Sequence, residues 1–360
     1  METSGKAPRR GTGKKIFKFI RRFCFLLVET VLLLALALYC GMFVLVKGPS
    51  PSLRDLFVLS VRETSAAGFL AELYLSDEEI AQIEASVQAD LADTDTSLIS
   101  LPTEPENGDS QEATGPVADA WGLIDDDGDG IIIQEVKRDG YCGYMMVVLD
   151  PKRVVVGCIP EDFGYEGHTV AEMAEQLGAV AAVNGGGFED PQGHGDGDTP
   201  NSMVVSYGEV YYAHKGNDHG FAGLDSNGIL HVGDLDAQDV KERDIQHGVS
   251  FGPVLISNGE INPSLSSGVN PRTAIGQRSD GAILLLVIDG RQLISLGATY
   301  QDLAEVLFDY GAVNGCNLDG GSSSLMWLPG GYISNCASLV GVRPLPTTIL
   351  VMPEGGADNG

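Results

Sequence analysis

An uninterrupted apolar segment, Phe23 to Val46, is the strongest constraint on what this chain can fold into. It contains 24 residues and a single charged one, Glu29. About 20 apolar residues cross a bilayer as a helix, whereas a cleaved signal peptide has a shorter apolar region followed by small residues. The segment therefore predicts an uncleaved transmembrane helix over residues 23–46, with a cleaved signal peptide as the alternative.

Charge is divided unevenly on the two sides of this segment. Residues 1–48 hold nine Lys/Arg and two Glu, a net +7, while the other 13 basic and 48 acidic residues give −35. Eight basic residues precede Phe23, so the positive-inside rule predicts that residues 1–22 form a basic cytoplasmic tail. The rest is then extracellular, on a single-pass protein of the cell membrane.

The acidic remainder of the chain restricts its ligands. A body with this charge is not expected to bind nucleic acid, because phosphate backbones are bound by basic patches. It also repels anionic ligands at long range. Any phosphate that it handles must meet a local cluster of arginines or backbone N–H groups.

The region after the span is predicted to be an extracellular stalk and linker, residues 47–119. Ser76-Asp-Glu-Glu79 is a capping box that predicts a short helix to about Leu91. Thr94 to Ala118 is rich in Ser, Thr, Pro, Glu and Gly, which is typical of a linker. The folded domain is predicted over residues 120–354.

Short apolar runs separated by turn signals indicate the fold class of this domain. Asp139-Gly140 and Asn258-Gly259 are hairpin signals, and Ala282 to Ile288 is a continuous apolar run typical of a buried strand. The chain contains 47 glycines, too many for a helical bundle. We predict a mixed α/β (α+β) fold, with twisted, largely antiparallel sheets around a few helices.

Two helices have clear start and stop signals. Thr-x-x-Glu begins one at Thr169, and Thr-x-x-Asp begins the other at Thr299. Apolar residues recur at helical spacing after each, and Gly178 and Gly311 are the predicted stops.

A similar strand and turn follow each helix. Asn184 lies six residues past the first stop and precedes Gly185 and Gly186, while Asn317 lies six past the second and precedes Asp319 by two. We predict two helix–strand–turn units whose turns line one cleft. The alternative is two unrelated αβ units, which are common in proteins.

Two acids at predicted strand ends are the candidate catalytic carboxylates. Asp319 is followed by Gly320, Gly321 and Ser322, and Asp289 also ends an apolar run and precedes glycine. Paired carboxylates suit hydrolysis of a glycosidic bond, one as base or nucleophile and the other as orienting group or acid. The alternative is that Asp-Gly is ordinary turn chemistry.

Arginine and amide groups are the candidates for binding phosphate. Arg272 and Thr273 follow Pro271 and precede an apolar stretch. A buried arginine in so acidic a chain must be paired or must bind an anion, so Arg272 is the first candidate phosphate clamp and Arg291 the second. A structural ion pair is the alternative for both. Asn184, beside flexible glycines, offers N–H groups to an oxyanion or a sugar hydroxyl.

Neither a metal nor another cofactor is predicted. Asp125-x-Asp127-x-Asp129 begins like a calcium loop, but position twelve is Val136 and Glu135 is one place early, so an acidic turn is favoured. Two further groups have no familiar metal-ligand spacing, namely His194 with Asp196 and Asp198, and His214 with His219. The loop from Asp190 to Pro200 is alternatively a flap over the site.

The body also contains four cysteines: Cys142, Cys158, Cys316 and Cys336. The sequence leaves open whether they form two disulfides or are free buried thiols.

Four of these motifs, in this order, resemble the phosphodiester glycosidase family over roughly residues 130–352. They are Asn184-Gly-Gly-Gly-Phe188, Pro271-Arg-Thr-Ala-Ile-Gly276, Asp289-Gly-Arg291 and Asn317-Leu-Asp-Gly-Gly-Ser322. The resemblance implies hydrolysis of a sugar-1-phosphodiester, with Asn184, Arg272, Asp289 and Asp319 at the catalytic motifs. The chain departs from the family pattern at Gly187, where an aromatic is frequent, and at Ser322, where a third glycine is frequent, so the resemblance does not imply a particular sugar.

The resulting expectation is a membrane-anchored extracellular hydrolase that cleaves the glycosidic C–O bond of sugar-1-phosphodiesters in cell-surface or exopolysaccharide material. Arg272 would stabilise the departing phosphate, and Asp319 would activate water or attack the anomeric carbon. The expected substrate-binding residues are Gly185, Gly186, Thr273, Arg291, Gly320, Gly321 and Ser322. Two alternatives remain: a non-catalytic module that binds sugar phosphates, and a phosphodiesterase that cuts the P–O bond.

Overall fold

A computed structural model describes residues 12–64, 67–84, 93–101, 117–191, 195–212, 220–338 and 341–355. The chain divides into two compact units, with the boundary between Phe57 and Val58.

The first unit consists mainly of one long helix. Helix α1, Thr12–Lys47, contains the whole segment predicted to span a membrane. Its stretch Ile16–Lys47 is long and apolar enough to cross a bilayer. An N-terminal apolar helix is therefore present, while the crossing itself and its orientation stay predictions.

The second unit begins earlier in the chain than the sequence predicts. Its first helical segments are the end of α2 (Pro51–Arg62), α3 (Phe69–Glu72) and α4 (Asp77–Glu84). Val58, Ile80 and Ile99 are buried, and Ser100 N donates to Ser279 O at 2.7 Å, so these described parts of the predicted stalk pack on the body. The predicted capping box is present, since Ser76 N donates to the Glu79 carboxylate. Residues 85–92 of the predicted helix lie outside the described residues.

The body combines three helices with nineteen short strands in the described residues. The helices are α5 (Val170–Leu177), α6 (Ala237–Glu242) and α7 (Tyr300–Asp309). In chain order the strands are β1 Val117–Ala118, β2 Ile124–Asp125, β3 Ile131–Arg138, β4 Tyr141–Val148, β5 Val154–Cys158, β6 Ala181–Asn184, β7 Val204–Ser206, β8 Glu209–Tyr212, β9 Phe221–Asp225, β10 Leu230–Gly233, β11 Ile245–Ser250, β12 Val254–Ser257, β13 Glu260–Ile261, β14 Arg272–Arg278, β15 Ile283–Ile288, β16 Ala312–Leu318, β17 Met326–Leu328, β18 Gly331–Tyr332 and β19 Thr347–Val351.

These strands form one small hairpin, β1–β2, and three larger sheets. The seven-stranded sheet has the order β13-β12-β16-β14-β15-β4-β3, and the two five-stranded sheets have the orders β10-β9-β11-β7-β8 and β18-β17-β6-β19-β5. All pairings between these strands are antiparallel. The predicted fold class, mixed with largely antiparallel sheets, is confirmed.

One hydrophobic core is shared by the three sheets, and each sheet carries a helix on its other face. Alternate residues of β15 show the arrangement: Ile283, Leu285 and Val287 point into the shared core, while Leu284 and Leu286 pack with α7. Helices α5 and α6 cover the two smaller sheets in the same way. Strand β15 is apolar throughout because both of its faces are buried.

The two predicted helix–strand–turn units are both present. Thr169 and Thr299 form reciprocal capping boxes with the third helical residue of α5 and α7. Gly178 and Gly311 follow these helices with φ of 74° and 86°, in the left-handed region that favours glycine. Strands β6 and β16 then lead to the two turns.

A buried ion pair gives a test of how residues 117–125 are held. The guanidinium of Arg278 has no solvent exposure and contacts Asp119 and Asp280, each at 2.7 Å. We expect Asp119→Ala to lower the free energy of unfolding by about 3 kcal/mol, because it leaves a buried cation short of one partner. Glu135→Ala, which removes an exposed pair with Lys137, should leave the free energy of unfolding nearly unchanged. Equal losses in urea titrations of the full-length protein would contradict this.

Candidate functional site

The turns that follow β6 and β16 lie against each other. Asp319 N donates to Gly185 O at 3.2 Å, and Asn184 Nδ2 donates to Asp319 O at 2.6 Å. The two strands belong to different sheets, so this contact joins the seven-stranded sheet to one of the smaller ones. The two turns therefore come together, as the sequence led us to expect.

Asn184 holds this junction in place. Its side chain is buried, and its Oδ1 accepts from Thr273 Oγ1 at 2.7 Å and from Leu325 N at 3.2 Å. With its Nδ2 on the Asp319 carbonyl, three of its four hydrogen-bonding positions are filled by the protein. Asn184 and Thr273 thus position the Asp319 turn.

The glycines after Asn184 serve close packing. Gly185 N and Gly186 N donate to the carbonyl and the hydroxyl of Thr347 at 3.1 and 3.0 Å. A Cβ on Gly185 would lie 2.6 Å from Thr347 Oγ1, so the backbone could not approach with a larger residue. These two N–H groups, expected to bind a ligand, are instead used within the protein.

The Asp319 carboxyl group is the most chemically distinctive group of the site. Its Oδ1 accepts from Gly320 N at 2.9 Å, while its Oδ2 is buried with no hydrogen-bond partner among the described residues. Burial raises the pKa of Asp319 to about 6, against the opposing effects of Ser323, Gly320 and Arg343. Asp319 therefore changes from acid to carboxylate just below neutral pH, which suits a general base or nucleophile.

The Gly320-Gly321 pair brings the Asp319 turn against the start of β14. A Cβ on Gly320 would lie 3.1 Å from Pro271 O, and Gly321 N donates to the same carbonyl at 2.8 Å. Gly321 has φ of +64°, which favours glycine. Both glycines are thus required by this close approach, which places the turn next to Arg272.

Arg272 is buried and paired with an acid from far upstream. Its guanidinium donates to Ala298 O, to Gly268 O and to the carboxylate of Glu63. Its Cζ lies 4.2 Å from the centre of the Tyr300 ring. The ion pair that the sequence left open as an alternative for Arg272 is therefore present.

Glu63 occupies a cradle of hydrogen-bond donors, formed by Gly268, Asn270 and Arg272. Its Oε1 accepts from Gly268 N at 3.2 Å, and its Oε2 accepts from Asn270 Nδ2 at 3.0 Å and from Arg272. A main-chain N–H, an amide and a guanidinium around one carboxylate make an anion-binding arrangement. We call this arrangement the Glu63 cradle.

Residues Ser60 to Thr64, the upstream segment, fit closely over this cradle. A Cβ on Gly268 would lie 2.1 Å from the backbone of Ser60, and Val269 N donates to Ser60 Oγ at 2.9 Å. Thr64 Oγ1 donates to Asn270 Oδ1 at 3.2 Å. The cradle is therefore covered by the chain itself.

Arg291 connects the cradle to the Asp319 turn. Its Nη2 donates to Thr64 Oγ1 at 3.0 Å, and a Cβ on Gly321 would lie 3.4 Å from the same nitrogen. Burial, followed by repulsion from Arg272, lowers the pKa of Arg291. Among the described residues no acid lies within 4 Å of this guanidinium, so its charge is available for an anion.

Asp289 is buried but fully engaged by another loop. Its two oxygens accept from Asn335 N at 2.9 Å and from Asn335 Nδ2 at 2.6 Å. No hydrogen bond joins it to Asp319 in the part of the chain that the structure describes. A direct catalytic role for Asp289 stays a prediction, and its contacts indicate that it positions this loop.

Sequence reasoning did not select several residues that belong to this region, among them Glu63, Tyr300, Asp190 and Arg343. Arg343 binds the Asp190 carboxylate through two nitrogens at 2.7 and 2.8 Å and donates to Ser322 Oγ at 3.3 Å. Asp190 also contributes to the raised pKa of Asp319. The signal that could have found Arg343 is its place next to Pro344 in an acidic chain, the reverse of the order that singled out Arg272.

Several buried polar atoms around the two turns have no partner among the described residues. They are Asp319 Oδ2, Ser324 Oγ, Asn201 Oδ1 and Asn317 Oδ1. Asn201 adjoins the first turn, because its N–H donates to Gly187 O at 3.1 Å, and Ser324 precedes the residue bonded to Asn184. Buried polar atoms are nearly always hydrogen-bonded, so these unpaired atoms are candidates for binding a polar ligand.

The remaining candidates from the sequence are the possible metal sites and the four body cysteines. Asp125, Asp127 and Asp129 bring carboxylate oxygens within 4.8 Å of one another, but Asp125 accepts from Gly128 N and Gly130 N, which makes this the acidic turn before β3. The positions of His194, His214 and His219 lie outside the described residues. The four body cysteines are free thiols.

Known proteins match the body of this chain. Residues 177–352 match the sequence profile of the phosphodiester glycosidase family. N-acetylglucosamine-1-phosphodiester alpha-N-acetylglucosaminidase of Bos taurus is 30% identical over 185 residues, which cover 45% of this chain and 33% of that protein. The SPbeta prophage-derived uncharacterized protein YomE of Bacillus subtilis (strain 168) is 26% identical over 205 residues, 53% of this chain and 31% of that protein. The chain thus spans about a third of the length of these curated relatives.

A solved structure shares the fold. The catalytic domain of zebrafish N-acetylglucosamine-1-phosphodiester alpha-N-acetylglucosaminidase, auto-inhibited by its pro-peptide, superposes with a TM-score of 0.52 at 23% identity. The match covers 62% of this chain and 82% of that one. With the profile match and the relatives, residues 177–352 of this chain are similar to the phosphodiester glycosidase family, and the solved structure shows that the fold is shared.

Proposed function

We propose that this protein hydrolyses the glycosidic C–O bond of sugar-1-phosphodiesters, releasing free sugar and a phosphate monoester. One observation carries the proposal. Asp319, with a pKa of about 6 and an unpartnered oxygen, precedes the Gly320-Gly321 turn, and this turn packs against the Arg272 side chain and the Arg291 guanidinium. This combination suits attack at a carbon beside a departing anion.

In this proposal the phosphate binds at the Glu63 cradle in place of the Glu63 carboxylate. Arg272, Asn270, Arg291 and the Gly268 N–H would stabilise the charge on the leaving phosphate monoester. That group leaves readily as an anion, so stabilising its charge matters more than protonating it. Asp319 would activate water or attack the anomeric carbon, and the unpartnered atoms of Ser324 and Asn201 would accept sugar hydroxyls.

We also propose that the upstream segment holds this site closed. The zebrafish catalytic domain is auto-inhibited by its pro-peptide, but the proposal here rests on contacts within this chain. Glu63 fills the cradle, and Thr64 caps Arg291. A substrate phosphate must displace this segment before it can bind.

The location of the activity is a further part of the proposal. Helix α1 would anchor the protein in the cell membrane as a single span, with the body outside. The charge difference on the two sides of the apolar segment supports this orientation. The substrate would then be a phosphate-containing glycan of the cell surface, such as a surface glycopolymer or exopolysaccharide.

Hydrolysis in ¹⁸O-labelled water tests the bond that is cleaved. Full-length protein in detergent micelles would be incubated with defined sugar-1-phosphodiesters, and the products analysed by mass spectrometry. We expect free sugar that carries the label and an unlabelled phosphate monoester. Label in the phosphate would overturn C–O cleavage in favour of P–O cleavage. Binding by calorimetry with no product from a broad panel of sugars would identify a non-catalytic module.

A further inference from the structure

The loop between β15 and α7 ends in an exposed apolar tip. Gln292 N donates to Ser295 O at 2.9 Å, and Ser295 N donates back to Gln292 O at 3.3 Å, so Leu293 and Ile294 form a two-residue turn. The side chains of Leu293, Ile294 and Leu296 are 103%, 76% and 63% exposed. We call residues 290–297 the finger.

The geometry of the turn does not explain why the tip of the finger is apolar. Two-residue turns are dominated by Gly, Asn and Asp, which adopt the required backbone angles and interact with water. The base of the finger is also firmly held: Leu296 N donates to Gly140 O at 2.9 Å, and the buried Ser295 hydroxyl donates to Asp289 O at 2.6 Å. The finger thus presents three large apolar side chains on a fixed support, which indicates a contact outside the protein.

The finger begins directly beside the proposed phosphate site. Arg291, its second residue, donates to Thr64 and Asn270 at the Glu63 cradle. Residues 290–297 contain no acid, although the chain after residue 48 has a net charge of −35. A cation at the cradle, followed by an apolar tip, complements a ligand with an anionic head and a long apolar chain.

We propose that the finger inserts into a lipid surface, and that the substrate is a lipid-linked sugar in which a phosphodiester joins the sugar to a long-chain alcohol. This inference rests on the proposed function. Water adds to the anomeric carbon, the C–O bond breaks, and the phosphate monoester of the alcohol leaves with the electron pair and remains in the membrane. The stretch Ile16–Lys47 supports a lipid partner, because it would tether the same chain to a bilayer. The absence of acids on the finger avoids repulsion from anionic lipids.

Fluorescence of a Leu293→Trp variant tests the insertion without any activity. Full-length protein would be placed in lipid nanodiscs, and the signal of Trp121 and Trp327 removed by subtracting the unmodified protein. We expect blue-shifted emission that falls at least twofold when the lipid chains are brominated. Tyr165→Trp, at a position 85% exposed, is the matched control and should show neither effect. Emission like that of the control would overturn the proposal, and a blue shift without bromine quenching would assign the tip to a second copy of the chain instead.

Substrate selectivity tests the second half of the inference. The double variant Leu293→Ser/Ile294→Ser should lower the ratio of kcat/KM for a long-chain phosphodiester to that for its methyl analogue at least tenfold. Tyr165→Ser should leave this ratio unchanged. An unchanged ratio in the double variant would refute the lipid-linked substrate. If the unmodified protein hydrolyses neither compound, the proposed function fails, while the quenching experiment still decides on the finger.

Discussion

Replacing Asp319 with asparagine is expected to lower kcat for hydrolysis of a sugar-1-phosphodiester by about 10²–10⁴-fold. The amide keeps the size of the side chain and its hydrogen bond from Gly320 N, but it can neither accept a proton nor attack the anomeric carbon. Turnover would be followed by release of free sugar. Asp309→Asn, at an exposed position at the end of α7, is the control and should retain activity. Full turnover by Asp319→Asn would remove Asp319 from the reaction.

The pH dependence of kcat/KM distinguishes a base or nucleophile at Asp319 from an acid. Burial raises the pKa of Asp319 from an ordinary 3.8 to about 6. If Asp319 acts as base or nucleophile, kcat/KM of the unmodified protein rises as pH increases through about 6 and then levels off. A fall over the same range would assign it the role of an acid instead.

The free energy of unfolding should respond to pH in the opposite direction to kcat/KM, because Asp319 stabilises the folded state less as pH rises. A raised pKa means that the folded state favours the protonated acid, so the stabilising effect is complete below pH 3.8 and is lost as pH rises through about 6. Asp319→Asn is neutral at every pH and avoids this loss. Its free energy of unfolding should therefore exceed that of the unmodified protein at pH 8 by roughly 1–3 kcal/mol, with little difference near pH 3.5. Urea titrations at the two pH values measure this difference.

Replacing Glu63 with glutamine is expected to open the Glu63 cradle to anions. Without the carboxylate, Arg272 keeps a buried charge that no longer has its acid, so the unfolding free energy in phosphate-free buffer should fall by about 3 kcal/mol. Inorganic phosphate should restore much of this loss, since a ligand present at 100 times its Kd stabilises by about 2.7 kcal/mol. The same variant should turn over a sugar-1-phosphodiester at least tenfold faster at low substrate concentration, because the upstream segment competes less well.

Glu72→Gln is the matched control for this experiment. It removes one carboxylate from the same part of the chain, where Glu72 is 54% exposed and pairs with Arg62. Such a pair contributes about 0–1 kcal/mol, and its loss should create no response to phosphate. If Glu63→Gln were as insensitive to phosphate as this control, the cradle would be a structural ion pair and nothing more.

Elements that depend on neighbouring residues were predictable in detail. The capping boxes at Thr169 and Thr299 set where α5 and α7 begin, because a side chain three residues away satisfies the first N–H groups. The apolar run of β15 indicated a strand covered on both faces, and the structure has the core on one side and α7 on the other. The start of the compact unit at Val58 was not predictable in this way. The apolar residues of this region are scattered along the chain, and they can be recognised as core residues only when the surface that they cover is known.

The sequence by itself therefore determined the local features: an apolar N-terminal helix, two capped helix–strand units, and the glycine-flanked Asp319 and Asn184 motifs that resemble the family. Only the tertiary structure decided the partners: Glu63 for Arg272, Asn335 for Asp289, and Arg343 beside the Asp319 turn. The physical reason is the range of the interactions. Caps, turns and strand periodicity depend on residues a few positions apart. A buried charge is paired with whichever residue the tertiary packing places beside it, and Glu63, the partner of Arg272, lies 209 residues away in the sequence.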